Sequence, residues 1–327
     1  MRILLWIVGI IAVLIGAAFL FLGDPEVPRD VLMQKYGQAP SQFVDLPSGA
    51  KAHYRDQGNA AGPALVLLHG SNASLHTWEP WVKNLGDGFR VVTVDLPGHG
   101  LTIAKADETY TAESMSAFVG EFTATIGVER FAVAGNSMGG GVAGHVAIAF
   151  PTRVTHFIPI DSAGLIPPNM PEPPAFFYIV RTPVLRDFLR LLPGRPITEA
   201  TLKASFVNQE LVTPEMIDRY WELNRGPGIR KATRARFSMP IEYWQGEDKF
   251  FRENLPKLAI PTLILWGKQD KLIPAETAEL FKQMTPGAQA IIYDDGGHIL
   301  QEDLAERSAA DVRAFLTAPA AAAPAAP

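Results

Sequence analysis

A serine between two glycines is the residue of this chain whose setting most favours nucleophilic chemistry. The motif G-N-S-M-G occupies residues 135–139, with the apolar run 131–134 before it and the small-residue run 140–144 after it. This order predicts a strand, a sharp turn and a helix, with Ser137 on the turn. The glycines let strand and helix approach closely, and the helix start favours a developing oxyanion. We therefore interpret Ser137 as a nucleophile rather than as part of a glycine-rich loop.

A serine hydroxyl becomes a good nucleophile when a base takes its proton and a carboxylate orients that base. The chain has seven histidines, and His298 closes the loop D-D-G-G-H at residues 294–298, directly after the last predicted strand. Asp270 follows the second-last predicted strand in the same way. Ser137, Asp270 and His298 then occur in the chain order Ser, Asp, His. We predict that these three residues form a catalytic triad.

The elements that must position these residues alternate between strand and helix. Short apolar runs of the buried parallel type predict strands at residues 64–68, 91–94, 131–134, 157–160, 262–266 and 290–293, after a hairpin at 43–46 and 52–55. Helices are predicted at residues 111–126, 138–150, 275–284 and 305–316, with Thr111 as an N-cap. The alternation predicts an α/β fold with a doubly wound, mostly parallel sheet and active residues at the carboxyl ends of strands.

One segment interrupts this alternation. Residues 162–255 contain no clear strand pair, but they are rich in proline and carry amphipathic runs such as 184–192 and 214–223. We predict a helical cap inserted after strand 6, with the core formed by residues 41–161 and 256–317. An independent domain is the alternative, and it is disfavoured because the α/β pattern resumes at Pro261.

The amino terminus carries a long apolar run. Residues 3–22 are uncharged and largely aliphatic, long enough as a helix to cross a bilayer. We predict a membrane anchor at residues 1–23, rather than a cleaved signal peptide, whose apolar region is shorter. Arg2 favours a cytoplasmic amino terminus and a periplasmic or extracytoplasmic catalytic domain. A linker is expected at residues 24–40 and a disordered Ala/Pro tail at 318–327.

Composition limits the classes of partner. The 327 residues carry a formal net charge of −5 with no dense Lys/Arg block, which argues against nucleic-acid binding. There is no cysteine, so disulfides and thiolate catalysis are excluded. The histidines are not spaced as metal ligands, and no motif implies a cofactor. The expected partners are a small acyl substrate and, through the anchor, a membrane.

Several motifs together resemble one superfamily. They are L-H-G at residues 68–70, D-L-P-G-H-G at 95–100, G-N-S-M-G-G at 135–140, W-G-K-Q-D at 266–270 and G-H at 297–298. From about residue 43 to residue 316 the chain is similar to α/β-hydrolase-fold enzymes with a helical lid. The resemblance implies Ser137 as nucleophile, His298 as base and then acid, and Asp270 as orienting carboxylate. It also implies an oxyanion hole from the backbone N–H groups of Ser71 and Met138.

The same resemblance implies that His69 and Asp95 shape loops rather than take part in catalysis. It also limits the classes of reaction to be considered. The elbow at residues 136–140 resembles that of hydrolases that cleave carbon–carbon bonds in ring-fission products, but the oxyanion loop at 71–74 departs from theirs. Relatives that are dehalogenases or epoxide hydrolases use aspartate where this chain has Ser137. We expect a serine hydrolase that forms an acyl-enzyme with a hydrophobic carboxylic ester. The alternatives are a C–C bond hydrolase, an acyltransferase or a non-catalytic ligand-binding protein.

Overall fold

The computed structural model describes residues 24–168 and 194–318, together with Trp6 and Thr182. The predicted anchor, the amphipathic run 184–192 and almost all of the predicted tail therefore lie outside the described residues. Within residues 24–168 and 194–318, no helix has both the length and the apolar character needed to cross a bilayer.

A single mostly parallel sheet organises the described core. Its strands are β1 (Gln42–Asp45), β2 (Lys51–Gly58), β3 (Ala64–Leu68), β4 (Arg90–Val94), β5 (Phe131–Asn136), β6 (Val154–Ile160), β7 (Leu263–Gly267) and β8 (Gln289–Tyr293). They lie in the order β1-β2-β4-β3-β5-β6-β7-β8. β2 is antiparallel to β1 and β4, and the other neighbours are parallel. The predicted α/β fold with a mostly parallel sheet is confirmed.

Helices cover both faces of this sheet and also form the segment between β6 and β7. They are α1 (Arg29–Tyr36), α2 (Glu79–Leu85), α3 (Ala112–Thr125), α4 (Met138–Ala149), α5 (Gly194–Ser205), α6 (Pro214–Leu223), α7 (Ile229–Phe237), α8 (Ile241–Asn254), α9 (Glu276–Met284), α10 (Leu300–Asp303) and α11 (Ala305–Thr317). The hydroxyl of Thr111 accepts the backbone N–H of Ser114 at 3.1 Å, as expected of an N-cap. Each predicted helix of the core thus has its counterpart in the structure.

The alternation of side chains along the central strands accounts for the two covered faces. In β3, Val66 and Leu68 join one apolar cluster, whereas Leu65 and Leu67 join the cluster on the opposite face. All four are fully buried. A strand that is apolar on both sides belongs at the centre of a doubly wound sheet, so β3 and its neighbour β5 form the platform beneath the turn at Ser137.

Four described helices, α5 to α8, lie between β6 and β7. A small apolar cluster of their own joins Leu202 and Phe206 to residues of α6, and it includes Ile299 from the loop after β8. α8 differs from the other three, because its Phe251 is fully buried in the main cluster beside the sheet. The last helix of the predicted cap is therefore packed into the core.

Residues 24–40, expected as a linker, contain the helix α1. Leu32 of α1 is buried with Leu101 of the core and Leu223 of α6. Asp24 pairs with Arg225 at 3.0 Å, which fixes the beginning of the described chain to the cap side. The helix escaped sequence analysis because it is only 8 residues long and three of its four apolar residues are consecutive, at 31–33, rather than spaced along one helix face. Its stability comes from tertiary packing.

Candidate active site

Ser137 lies on a strained turn between β5 and α4. Its φ is 55° and its ψ is −121°, an uncommon conformation for a residue other than glycine. The neighbouring backbones leave no room for side chains, since a Cβ on Gly135 would lie 2.1 Å from the carbonyl oxygen of Gly139. The N–H of Ser137 donates to the carbonyl of Ile160 at 2.9 Å. The sheet thus holds the serine in a conformation that it would otherwise avoid.

The two residues predicted to form an oxyanion hole lie beside this turn. Met138 is the first residue of α4, so its N–H is among the four at a helix start that lack an intrahelical acceptor. A Cβ on Gly70 would lie 3.2 Å from Cβ of Ser137, which places the loop after β3 alongside the serine. The hydroxyl of Ser71 contacts the sulfur of Met138 at 3.3 Å. The structure therefore brings Ser71, Met138 and Ser137 together.

His298 and Asp270 are paired at the ends of β8 and β7. Nδ1 of His298 lies 2.7 Å from Oδ2 of Asp270, and both side chains are nearly or fully buried. The other carboxylate oxygen accepts the N–H groups of Leu272 at 2.7 Å and Ile273 at 3.1 Å. Because a carboxylate accepts at Nδ1, that nitrogen carries the proton, and Nε2 keeps the lone pair that a base requires.

The backbone of His298 is tied to the turn that carries Ser137. Asn136, the residue before the serine, donates from Nδ2 to the carbonyl of His298 at 2.8 Å. Its Oδ1 accepts from Nε2 of Gln301 at 3.3 Å. Sequence analysis missed both amides, although a buried amide at the end of an apolar strand is itself a signal of a specific hydrogen-bonding role. The serine turn and the histidine loop are therefore joined directly.

A second buried carboxylate, Asp161, lies near Asp270 and was also missed by sequence analysis. It follows β6 with a φ of 44°, and its Oδ1 accepts the N–H of Gly267 at 2.8 Å. Its Oδ2 has no hydrogen-bond partner in the described part of the chain. Burial, and after it the nearby charge of Asp270, raises the pKa of Asp161 well above the usual carboxyl value. The arrangement favours the neutral form of Asp161.

His69, in the L-H-G motif, forms hydrogen bonds with the loops that follow β3 and β4. Its Nε2 accepts the N–H of Leu96 at 3.0 Å, so Nδ1 is the protonated nitrogen and donates to the carbonyl of Gly70 at 2.8 Å. Burial lowers the pKa of His69, which favours this neutral form. These contacts shape the loop that leads to Ser71.

Asp95 contacts backbone and histidine donors rather than the triad. Its carboxylate accepts the N–H groups of Leu75 at 2.7 Å and Leu101 at 2.8 Å, and Nδ1 of His53 lies 2.6 Å away. Burial disfavours ionisation, but the interactions with His53 and His69 outweigh it and lower the pKa of Asp95 below its usual value. A charged carboxylate with these donors fixes the loops after β3 and β4.

One cap side chain, Arg236 of α7, is a buried cation. Its guanidinium donates to the hydroxyl of Thr233 at 3.1 Å and to the carbonyl of Gly98 at 3.4 Å. Burial lowers the pKa of Arg236 to about 9. A buried cation of this kind gains from an anionic partner.

The chain is similar to known proteins of one family. A family model described as the alpha/beta hydrolase fold matches residues 63–304. Lipase 1 of Psychrobacter immobilis is 26% identical over 281 residues, which cover 83% of this chain and 82% of the lipase. The 2-hydroxymuconate semialdehyde hydrolase of Pseudomonas sp. strain CF600 is 26% identical over 296 residues, covering 90% of this chain and 95% of that enzyme.

A solved structure extends the likeness over almost the whole chain. The crystal structure of a membrane phospholipase A, described as a bacterial virulence factor, matches with a TM-score of 0.69 and 26% identity. The match covers 96% of this chain and 97% of the phospholipase chain. The similarity thus includes the core and the segment between β6 and β7.

Proposed function

Because this chain belongs to the alpha/beta hydrolase fold family and is a hydrolase, we propose that it cleaves a hydrophobic carboxylic ester through a serine acyl-enzyme. The observation that carries the proposal is the 2.7 Å contact between Nδ1 of His298 and Oδ2 of Asp270. The loop of that histidine is hydrogen-bonded to Asn136, directly before Ser137. A strained serine, a buried imidazole and an oriented carboxylate are the parts that nucleophilic acyl transfer requires.

Each residue has a defined role in the proposed reaction. Oγ of Ser137 attacks the ester carbonyl while Nε2 of His298 takes the hydroxyl proton. The N–H groups of Ser71 and Met138 stabilise the oxyanion. His298 then gives its proton to the leaving alcohol, and the acyl group stays on Ser137. Water, activated by the same imidazole, attacks this ester and releases the acid with free serine.

The substrate class follows from the relatives and from the apolar parts of the chain. The lipase and the phospholipase A are named for lipid esters. The proposed cap, residues 162–255, contributes an apolar cluster that reaches Ile299, the neighbour of His298. Burial of an acyl chain against apolar side chains contributes about 0.8 kcal/mol for each methylene group. We therefore favour a long-chain acyl ester.

We further propose that residues 3–22 anchor the enzyme in a membrane. The support is the run of twenty uncharged residues, together with the likeness to a phospholipase A whose structure is described as that of a membrane protein. The position of Arg2 favours a catalytic domain on the periplasmic or extracytoplasmic side.

A carbon–carbon bond hydrolase is the second candidate. The observation that favours it is Arg236, a buried cap guanidinium whose pKa is lowered to about 9 by burial. The substrate of the Pseudomonas relative, 2-hydroxymuconate semialdehyde, carries a carboxylate that such a cation would bind.

An activity-based probe and a substrate panel test these proposals together. A fluorophosphonate should label the wild-type protein, and hydrolysis of p-nitrophenyl esters should rise from the acetyl to the longer acyl chains. Vesicles of phosphatidylcholine and a ring-fission dienoate complete the panel. Preferential turnover of the dienoate, with loss of it in Arg236→Met, would establish the second candidate. A labelled protein that turns over none of these substrates would disprove the proposed substrate class.

A further inference from the structure

Of three consecutive residues around the proposed base, His298 and Ile299 contact the segment between β6 and β7 directly, and Gly297 is linked to it through Asp303. The N–H of Gly297 donates to Oδ2 of Asp303 at 2.9 Å, and the N–H of His298 donates to the carbonyl of Ser205 at 2.8 Å. The side chain of Ile299 is buried in the apolar cluster of α5 and α6. The loop that carries His298 is therefore supported by a different part of the chain from the sheet that carries Ser137.

The contact between His298 and Ser205 is a direct contact of two backbones. Ser205 ends α5, and the last carbonyl groups of a helix have no acceptor role within the helix itself. The N–H of His298 donates to the carbonyl of Ser205 and supplies the donor that the helix itself lacks at this position. A Cβ on Gly297 would lie 2.4 Å from the carbonyl oxygen of Ser205, so only glycine permits this approach. The end of α5 thus fits closely against the histidine loop.

Asp303 also links the histidine loop to the chain that leaves α5. Besides the N–H of Gly297, its carboxylate accepts the N–H of Val207 at 3.0 Å and that of Asn208 at 3.2 Å. Asp303 is only 6% exposed, and Gly297 is buried, whereas Val207 and Asn208 are exposed residues. One carboxylate therefore binds the histidine loop and the chain that leaves α5 at the same time, and its removal leaves three N–H groups without their acceptor.

We propose that Asp303 is a positioning residue that couples the cap to the catalytic base. Through it, His298 keeps its productive orientation only while the end of α5 is seated against the loop after β8. Asp303 contacts no reacting atom. Its action is indirect, through the backbone of Gly297 and the position of the imidazole. This inference rests on the proposed function, since it gives a regulatory element to the same site.

The coupling has a consequence for how movement of the cap affects the site. The apolar cluster to which Ile299 belongs consists of buried side chains, so it packs the histidine loop tightly against α5 and α6. Any displacement of that cluster is transmitted to the adjacent His298. A shift of about 1 Å in a catalytic group costs up to roughly 10²-fold in rate. Cap position and base position therefore change together.

The test compares Asp303→Ala, Asp303→Asn and the matched control Asp295→Ala. Asp295 lies in the same loop, but its carboxylate is exposed and pairs with Arg307 at 2.6 Å. We expect Asp303→Ala to lower kcat by roughly 10²-fold with KM changed by about twofold or less. Asp303→Asn should be intermediate, because its amide oxygen can still accept from Gly297 and Val207. Asp295→Ala should match the wild type.

A spectroscopic readout separates positioning from simple loss of stability. The Nδ1 proton of His298, bound to Asp270, should give a downfield proton NMR signal, assigned by its absence in His298→Ala. We expect this signal to shift or broaden in Asp303→Asn at a temperature where the melting curve shows full folding. It should be unchanged in Asp295→Ala.

The results test the proposed role of Asp303 separately from the identity of the substrate. Wild-type kcat and an unshifted signal in folded Asp303→Ala would overturn it, as would equal effects in Asp295→Ala. If Asp303→Ala does not fold, the kcat and signal of Asp303→Asn give the decision in the same way. A wild-type protein that neither labels with a fluorophosphonate nor hydrolyses esters would overturn the proposed function instead, and the NMR comparison would still report whether Asp303 positions His298.

Discussion

The side chain of Asn136 donates from Nδ2 to the carbonyl of His298 at 2.8 Å, across 162 positions of sequence. The same Nδ2 contacts the carbonyl of Ile160 at 3.3 Å, so one buried amide joins the serine turn, β6 and the histidine loop. A shift of the loop relative to the turn breaks a buried hydrogen bond, at a cost of about 1–3 kcal/mol. Asn136 therefore constrains the distance between Ser137, the proposed nucleophile, and His298, the proposed base.

Replacement of Ser137 by alanine should abolish acyl transfer and leave the fold intact. The hydroxyl is the proposed attacking group, and loss of a triad serine lowers turnover by roughly 10⁶-fold. We expect no fluorophosphonate labelling of Ser137→Ala, together with an unchanged circular dichroism spectrum. Ser48→Ala, which alters an exposed serine, should label as the wild type does. Labelling that persists in Ser137→Ala would assign the nucleophile elsewhere.

Replacement of Asp270 by asparagine should lower kcat by roughly 10⁴-fold. The amide NH2 would face the proton on Nδ1 of His298, and the imidazole would then adopt the tautomer that protonates Nε2. Steady-state kinetics measure the effect. The exposed carboxylates Asp294 and Asp295 pair with surface cations, so their asparagine variants should stay within about twofold of wild type. Equal losses at Asp270 and Asp295 would mean that Asp270 is not the triad acid.

The stability of Asp161→Asn relative to the wild type should increase with pH. The raised folded-state pKa of Asp161 means that its neutral form is the one the fold prefers. Its stabilising contribution is complete below about pH 4 and is lost as the pH rises through the folded-state pKa. Asparagine stays neutral throughout. Urea unfolding between pH 4 and pH 8 should give a growing difference, at most about 1.4 kcal/mol per pH unit.

Turnover measurements on the same variant distinguish the role of Asp161 from that of Asp270. Asp161→Asn keeps an acceptor for the N–H of Gly267, and Asp270 remains free to orient His298. We expect turnover close to that of wild type in this variant. A pH-independent difference in the free energy of unfolding, or a loss of activity as large as that of Asp270→Asn, would contradict the assignment of Asp161 as the neutral partner.

Membrane fractionation tests the proposed anchor at residues 1–23. The full chain should resist carbonate extraction, because about twenty aliphatic residues insert in an effectively irreversible way. Deletion of residues 1–23 should release an active hydrolase, since no proposed site residue lies in that segment. Protease added to intact spheroplasts should digest the catalytic domain. Digestion that requires lysis would reverse the orientation, and a mature protein that begins after Leu22 would indicate a cleaved signal peptide.

The strands of the core and the contact between His298 and Asp270 could be predicted from the sequence because their signals are local. An apolar run of four or five residues marks a buried strand, and each of these two residues follows such a run. Asp161 also follows such a run, at residues 157–160, but no local pattern indicates its partner, and Asp303 follows no such run. The partners of Asp161 at Gly267 and of Asp303 at Val207 lie 106 and 96 positions away. Only the assembled fold brings those donors to the carboxylates.

The helix α1 illustrates the same limit at the level of secondary structure. Three of its four apolar residues are consecutive, at 31–33, and one buried side chain, Leu32, packs it between the core and α6. An eight-residue helix is marginal by itself, so its formation depends on surfaces supplied by distant parts of the chain. Sequence periodicity does not reveal a helix whose stability comes almost entirely from contacts with distant parts of the chain.

The attachment of Asp24 to Trp221 and Arg225 limits how far these two residues can lie from the proposed membrane anchor. Asp24 accepts from Nε1 of Trp221 and pairs with Arg225, both at 3.0 Å. The proposed span ends at Leu22, and two residues of chain reach at most about 7 Å. Trp221 and Arg225 would then lie at headgroup depth, where tryptophan and arginine are favoured. A lipid ester could pass from the leaflet to the cap without crossing bulk water, so that its abundance in the bilayer, rather than its aqueous solubility, would govern the rate of turnover.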